Sequence, residues 1–128
     1  MKSKRNIVSL VLLLMVALPT LLFTTGCAKS KEKYIEILEG KGYTIEELNY
    51  SYLKDATYRF RATYEKDGEY GDVTLTFYSN NESAHTGFNQ EKLEIARTKQ
   101  YSPSYDFSAY WVGNVVMVGN EKGLKDAK

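Results

Sequence analysis

The sequence predicts an α+β domain in which an antiparallel sheet of two hairpins carries helices packed on one face. We expect about four strands, or five if one further segment is extended. The first observation is strict alternation of apolar and polar side chains in residues 57–65 and 72–78, with the turn-rich stretch KDGEYG between them. The second is the pair Gly113-Asn114 between two apolar runs, which is typical of a two-residue hairpin turn.

The first hairpin is predicted to have one apolar face and one polar face. Pairing Tyr64 with Val73 places apolar side chains opposite one another along the whole hairpin. The same register places Arg59 beside Tyr78 on the polar face, where a cation–π contact can form. The predicted apolar face consists of Tyr58, Phe60, Ala62, Tyr64, Val73, Leu75 and Phe77.

The second hairpin differs from the first because both of its faces are apolar. Pairing Val112 with Val115 divides the flanking apolar side chains between the two faces. Either helices cover both faces, or the face with Trp111 is partly open and forms a contact site for another protein. The candidate partner surface comprises Tyr110, Trp111, Val116 and Val118.

Three segments are predicted to be helical. The first is Lys31–Glu39, which glycines can end. The longest begins after Asn80 or Asn81, and a short final helix is capped by Asn120. Four side chains of the longest helix are expected to face the sheet: Ala84, Phe88, Leu93 and Ile95.

The segment Tyr43–Tyr52 allows two interpretations. The pair Thr44 and Glu47 fits a helix-capping box, which favours a short helix. The alternating positions of its apolar side chains fit an extended strand instead. These side chains are Tyr43, Ile45, Leu48, Tyr50 and Tyr52.

The first 26 residues have the organisation of a secretory signal peptide. Lys2, Lys4 and Arg5 form a basic start, residues 7–23 contain no charge, and small residues precede Cys27. Cys27 is the only cysteine, so it cannot form a disulfide within the chain. Two alternatives to a cleaved lipoprotein signal remain: an uncleaved membrane anchor, and an ordinary signal peptide followed by a free cysteine.

The sequence TTGC, which ends at Cys27, resembles the lipobox of bacterial lipoproteins, although Thr24 stands where that motif usually has Leu. The resemblance implies a diacylglyceryl group on the Cys27 thiol and cleavage between Gly26 and Cys27. It also implies attachment to the extracytoplasmic face of the cell membrane. The stretches VTLTFYSNNESA and NVVMVGNEKGLKDA resemble a pattern of small lipoproteins from Gram-positive bacteria, which implies location and fold class only.

The predicted organisation has three parts. Residues 1–26 are the signal peptide, residues 27–33 are the lipidated cysteine with a short polar tether, and residues 34–128 are a single domain. The chain after residue 26 is nearly neutral, because only three of the 17 basic residues and none of the 16 acidic residues precede it. A near-neutral domain without a basic stripe argues against nucleic acid as a partner.

Residues that carry catalysis or hold cofactors are scarce. The single His85 is expected on a solvated helix face, and the acidic residues of KDGEYGD lack the spacing of an EF-hand. We therefore predict no enzyme, no cofactor and no metal. The first functional hypothesis is a lipid-anchored binding module that presents a protein-contact surface near the membrane. The alternative is a small inhibitor or immunity protein against a secreted hydrolase, toxin or phage factor; an enzyme acting on cell-wall material is the least favoured.

Overall fold

The computed structural model describes residues 27–128. The predicted signal peptide, including Gly26, lies outside the described residues. In the described part, no helix has both the length and the apolar character needed to cross a bilayer. The helices are α1 (Lys31–Gly40), α2 (Asn81–Tyr101) and α3 (Glu121–Ala127), and the strands are β1 (Thr44–Glu47), β2 (Ala56–Lys66), β3 (Glu69–Tyr78), β4 (Ser108–Val112) and β5 (Val115–Gly119).

The five strands form one sheet in the order β1-β2-β3-β5-β4, and every neighbouring pair is antiparallel. The predicted α+β class with an antiparallel sheet is confirmed. The fifth strand is β1, so the first part of Tyr43–Tyr52 is extended, and the backbone then turns before β2 begins.

The helices lie on both faces of the sheet, whereas the sequence predicted one. The front face, covered by α1 and α3, contains the larger core, to which Phe60 and Leu75 belong. The back face carries α2, which packs on a smaller cluster around Tyr78 and Val116. The physical reason lies in β5, an interior strand that is buried on both faces. Because its apolar side chains alternate in direction, each face needs its own cover.

The register of the first hairpin differs from the predicted one. Tyr64 pairs with Gly71, and Val73 pairs with Ala62, so the strands are displaced by two residues from the predicted pairing. The cause is a tight turn at Asp67 and Gly68, which both have positive φ (53° and 82°). That is the geometry of a two-residue primed turn, whereas the sequence predicted a longer loop. A displacement of two residues preserves the faces, so the apolar side still points to the front.

The second hairpin has the predicted register. Val112 pairs with Val115 across the turn at Gly113 and Asn114, and Gly113 has a positive φ of 53°. The turn is bound to β3, because the Asn114 side chain donates to the Tyr78 carbonyl (2.9 Å) and the Tyr78 N–H donates to the Asn114 carbonyl (2.8 Å).

The folded domain begins earlier than predicted. Ala28 packs against the front core, and the Lys29 N–H donates to the Tyr34 hydroxyl (3.3 Å). Ser30 caps α1 with its side-chain oxygen, so the helix starts directly after it. Ala28 therefore touches the core, whereas residues 29–33 of the predicted polar tether are exposed, and residues 31–33 form the first turn of α1.

The side chain of Asn120 joins β3 to α3 at the end of β5. Its Oδ1 accepts from the N–H of Asp72 (3.1 Å) and from the N–H of Gly123 (2.8 Å). Its Nδ2 donates to the carbonyl of Tyr70 (2.9 Å), and the side chain is buried. Asn120 thus caps α3, as the sequence predicted, and also satisfies backbone groups of β3 beyond the last residue of β5.

Replacing Asn120 tests this double role. Asn120→Ala removes an N-cap and leaves buried polar groups of β3 without partners, so we expect a loss of about 2–4 kcal/mol in the free energy of unfolding. Asn80→Ala is the matched control, because Asn80 caps α2 at an exposed site through one hydrogen bond to the Ser83 N–H (2.7 Å). Its cost should be about 1 kcal/mol. Equal losses in urea unfolding would contradict the proposed connection.

A second connection joins α3 to the chain before β1. The Tyr43 hydroxyl donates to Oδ2 of Asp126 (2.7 Å), and Lys122 Nζ donates to the same oxygen (3.1 Å). Burial acts to raise the pKa of Asp126, but these two hydrogen bonds outweigh it and hold that pKa below its ordinary value. The ionised carboxylate therefore stabilises the fold.

The stabilisation by Asp126 should depend on pH. A depressed folded pKa means that the contribution is complete above the unfolded pKa and is lost as pH falls through the folded one. We expect Asp126→Asn to lower the free energy of unfolding by about 1 kcal/mol at pH 7, and by less below pH of about 3. The exposed Asp106 provides the control, and Asp106→Asn should change little at either pH. A cost of Asp126→Asn that stays constant across this range would contradict the account.

Candidate functional site

The four residues of the predicted partner surface do not form one open patch. Trp111, Val116 and Val118 lie on the back face in the cluster that α2 covers, and Val116 is 2% exposed. Tyr110 lies on the front face, packed against the larger core, with Lys128 Nζ 4.2 Å from its ring centroid. The prediction of a single contact surface is therefore corrected. The long helix α2 covers the face with Trp111, which one of the two interpretations of the sequence had left partly open.

Trp111 serves as the outer wall of the back-face cluster. His85 stacks on its ring at a centroid distance of 4.4 Å, and Phe88 lies 6.1 Å away. The indole Nε1 donates to the Gly113 carbonyl (2.6 Å). His85 is exposed, as predicted, but it also shields the indole. Trp111 is therefore half-buried packing between α2 and the second hairpin.

The back face remains open on the other side of the sheet. Among the described helices, only α2 lies on this face, and its main contacts are with β3, β4 and β5. The side chains that β1 and β2 direct to the back therefore lie mostly outside the cover of α2. We name the adjoining cluster the Arg–Tyr face: it consists of Tyr52 before β2, Arg59 and Arg61 of β2, and Tyr70 and Asp72 of β3.

One half of the Arg–Tyr face is a closed ion pair. Arg61 Nε donates to Oδ1 of Asp72 (3.1 Å), and Arg61 Nη2 donates to Oδ2 (2.6 Å). The Tyr70 hydroxyl also donates to Oδ2 (2.7 Å). The Asp72 side chain is 4% exposed, whereas that of Arg61 is 43% exposed. Hydrogen bonding to Asp72 raises the pKa of both Arg61 and Tyr70, so the guanidinium stays charged, the phenol stays neutral, and both are held in position at neutral pH.

The other half of the Arg–Tyr face holds a cation without a carboxylate partner. Arg59 Nη1 donates to the Tyr52 hydroxyl, and within residues 27–128 Arg59 forms no ion pair. Its Nε is buried and has no hydrogen-bond partner in the same part of the chain. Glu91 of α2 is its electrostatic neighbour: burial raises the pKa of Glu91, and Arg59 partly offsets that rise. A half-buried guanidinium in this state can still donate hydrogen bonds to an anionic group of a binding partner.

A groove of about 390 Å³ lies between α2 and the turn that precedes β2, with Leu53 and Lys54 in its wall. Tyr78 contributes to its lining, next to Gly87, where a Cβ would overlap the Tyr78 hydroxyl. Asp55, which has a positive φ of 63°, accepts a hydrogen bond from the Ser83 hydroxyl (2.8 Å) across the groove. The groove adjoins the back-face cluster through Tyr78, and none of the five residues of the Arg–Tyr face lines it.

In the described part of the chain, no three His, Cys, Asp or Glu side chains come together in a way that could hold a metal ion. Cys27 is exposed and lies before α1. Comparison of the chain with protein-family models, with curated proteins and with solved structures finds no match in any of the three.

The sequence contained part of the signal for this site. The alternation in β2 placed Arg59 and Arg61 together on a polar face, and both are there. It did not indicate Tyr52, which reaches Arg59 from an irregular segment. The richness in tyrosine, 11 in the chain, was the available hint, because tyrosine is a frequent contact residue as well as a strand residue.

The two arginines should differ in their structural roles. Arg61→Ala leaves the buried carboxylate of Asp72 with the Tyr70 hydroxyl as its remaining side-chain donor, so we expect a loss of about 2–3 kcal/mol in unfolding free energy. Arg59→Ala removes a cation that has no ion pair within residues 27–128, and the loss should stay below about 1 kcal/mol. Urea unfolding at pH 7 measures both values. A larger cost for Arg59→Ala would show that Arg59 is the structural residue instead.

Proposed function

We propose that this protein is a lipid-anchored extracytoplasmic binding module, without enzymatic activity, that presents the Arg–Tyr face to a protein partner near the membrane. The observation that carries the proposal is the uncovered half of the back face, where arginine and tyrosine side chains are held in place by their own hydrogen bonds. Lipid attachment through Cys27 rests on the lipobox resemblance.

The composition of the Arg–Tyr face supports recognition of a protein. Tyrosine and arginine are enriched among the residues that contribute most to binding energy, and here they lie side by side. Tyr52 is 66% exposed and Tyr70 is 46% exposed, so their rings are accessible for contact. Because Asp72 orients both Arg61 and Tyr70, little side-chain entropy remains to be lost when a partner binds.

The unpaired Arg59 supports an acidic contact group on the partner. A carboxylate that reaches Arg59 would complete an ion pair in a partly desolvated setting, where such pairs contribute more than on an open surface. The ion pair between Arg61 and Asp72 is already complete. Arg61 is therefore expected to contribute to the shape of the contact surface rather than to recognition of a charged group.

The position of Cys27 supports a fixed orientation at the membrane. Ala28 packs on the front core and the Lys29 N–H is bonded to Tyr34, so little free chain separates a lipid on Cys27 from the domain. Such a lipid holds the front side towards the bilayer, and two acyl chains are sufficient for stable anchoring. The Arg–Tyr face, on the opposite side of the sheet, is then directed away from the anchor.

The same face also fits the alternative, an inhibitor or immunity protein. The preformed ion pair of Arg61 with Asp72 favours a rigid contact surface, and enzyme inhibitors commonly bind with little change of backbone. Observation of a tight one-to-one complex with a secreted hydrolase, toxin or phage factor would favour this function over that of a general binding module.

Site-specific photo-crosslinking in intact cells tests the proposal. A photoreactive phenylalanine derivative replaces Tyr52 on the Arg–Tyr face or Tyr101, a control tyrosine at the end of α2 that is 83% exposed. We expect one stoichiometric protein adduct from position 52 and none from position 101. Adding Arg59→Glu, which reverses the side-chain charge at this position, should reduce the yield of the adduct at least tenfold. The control Lys99→Glu on α2 makes the same change of charge and should not reduce it.

The anchor is tested by the same readout. Cys27→Ser should release the protein from the membrane fraction and reduce capture of a membrane-proximal partner; undiminished capture would favour the autonomous inhibitor. Equal adducts at positions 52 and 101, or insensitivity to Arg59→Glu, would reject the Arg–Tyr face as the contact surface.

A further inference from the structure

The two edges of the sheet are built differently. β1 is a four-residue edge strand that carries Glu46 and Glu47, and charges of this kind discourage pairing with another chain. β4, at the other edge, has the sequence SAYWV, without a charged residue or a proline. Natural sheets usually protect an edge of that composition, so the open edge of β4 requires an explanation.

The turn of the second hairpin determines which backbone groups of β4 point outwards. In a two-residue hairpin the residues that flank the turn, here Val112 and Val115, form a hydrogen-bonded pair. The same type of pair recurs every second residue, so Tyr110 and Ser108 direct their N–H and C=O groups to β5. Ala109 and Trp111 direct theirs away from the sheet, and β4 is paired only with β5 in residues 27–128.

We propose that β4 pairs antiparallel with β4 of a second copy of this chain, about a two-fold axis at Tyr110, which joins the two sheets into one. In this register Ala109 lies opposite Trp111 of the second copy, and the reverse holds by symmetry. Each of these pairs exchanges two backbone hydrogen bonds and satisfies the outward groups of both strands.

The side chains of β4 fit this self-pairing. On the back face the small Ala109 leaves room for the large Trp111 of the second copy, so two indoles do not meet. On the front face Tyr110 lies opposite Tyr110 of the second copy, and aromatic cross-strand pairs stabilise sheets. The five-residue strand itself contains no charged residue, whereas the same pairing at β1 would bring glutamates into contact.

The symmetry also agrees with a common membrane, a point that rests on the proposed function. A two-fold axis perpendicular to the sheet keeps the front faces on one side and the back faces on the other. Both Cys27 residues then lie on the same side of the joined sheet. The pairing of β4 itself does not depend on the lipid.

Disulfide trapping with the full chain in the Cys27→Ser background tests the register. The Tyr110 residues form a non-hydrogen-bonded pair with a Cα separation of about 4.5 Å, which lies in the disulfide range. Tyr110→Cys should therefore give a covalent dimer under mild oxidation. Ser108→Cys alone should not, because Ser108 lies opposite Val112 and about 13 Å from its own symmetry mate. Mixing Ser108→Cys with Val112→Cys chains should give the mixed dimer.

A backbone variant separates edge pairing from chance collision. Ala109→Pro removes an N–H that points away from β5, so the hairpin should keep its far-ultraviolet circular dichroism while the Tyr110→Cys dimer decreases at least fivefold. Tyr101→Cys, on the exposed end of α2, reports random collision. The proposal fails if Tyr110→Cys stays monomeric, if Ser108→Cys traps as well, or if Tyr101→Cys dimerises equally. None of these outcomes affects the photo-crosslink at position 52.

Discussion

The buried side chain of Asn120 is the constraint on which both the fold and the candidate site depend. β5 ends at Gly119, yet β3 continues beyond it. Asn120 continues the pairing with its backbone N–H, which donates to the Asp72 carbonyl (3.0 Å), and with its side chain, which binds the Asp72 N–H and the Tyr70 carbonyl. The same oxygen begins α3, which approaches β3 so closely that a Cβ on Gly123 would overlap the Asp72 carbonyl. Asp72 points to the back face because side chains alternate along β3, and there its carboxylate binds Arg61.

The two faces of the sheet illustrate how cover is matched to side-chain chemistry. The front face is apolar along β2, β3 and β5, and it is closed by α1 and α3. The back face is apolar only where the second hairpin lies, and α2 covers that half. Over β1 and β2 the side chains are threonine, arginine and glutamate, which remain hydrated or pair with one another and need no cover. The open region is thus a consequence of sequence polarity, and it leaves Arg59 accessible without cost to the core.

Local chemistry determined how much the sequence could predict. Alternation, the Gly113-Asn114 turn and the asparagine caps are decided within a few residues, and each of these predictions is confirmed. The register of the first hairpin was wrong because the whole stretch KDGEYG was interpreted as a loop, whereas Asp67 and Gly68 alone form a two-residue primed turn and the residues after them already belong to β3. Leu93 was expected on the sheet and is 66% exposed, because the path of α2 across the back face depends on where Tyr78 and Trp111 lie. The contact of Tyr52 with Arg59 likewise joins an irregular segment to a strand, which no local pattern specifies.

Rigidity connects the proposed anchor, the contact face and the second copy. A long flexible tether would let a domain sample many orientations, and the location of a contact surface would then matter little. Here Ala28 contacts the front core and the Lys29 N–H is bonded to Tyr34, so little free chain separates Cys27 from the domain. In the proposed arrangement a two-fold axis along the membrane normal satisfies both lipids at once and directs both Arg–Tyr faces away from the bilayer. Two such faces in fixed relation would bind a repeated or dimeric partner with a high effective concentration, even if each contact alone were weak.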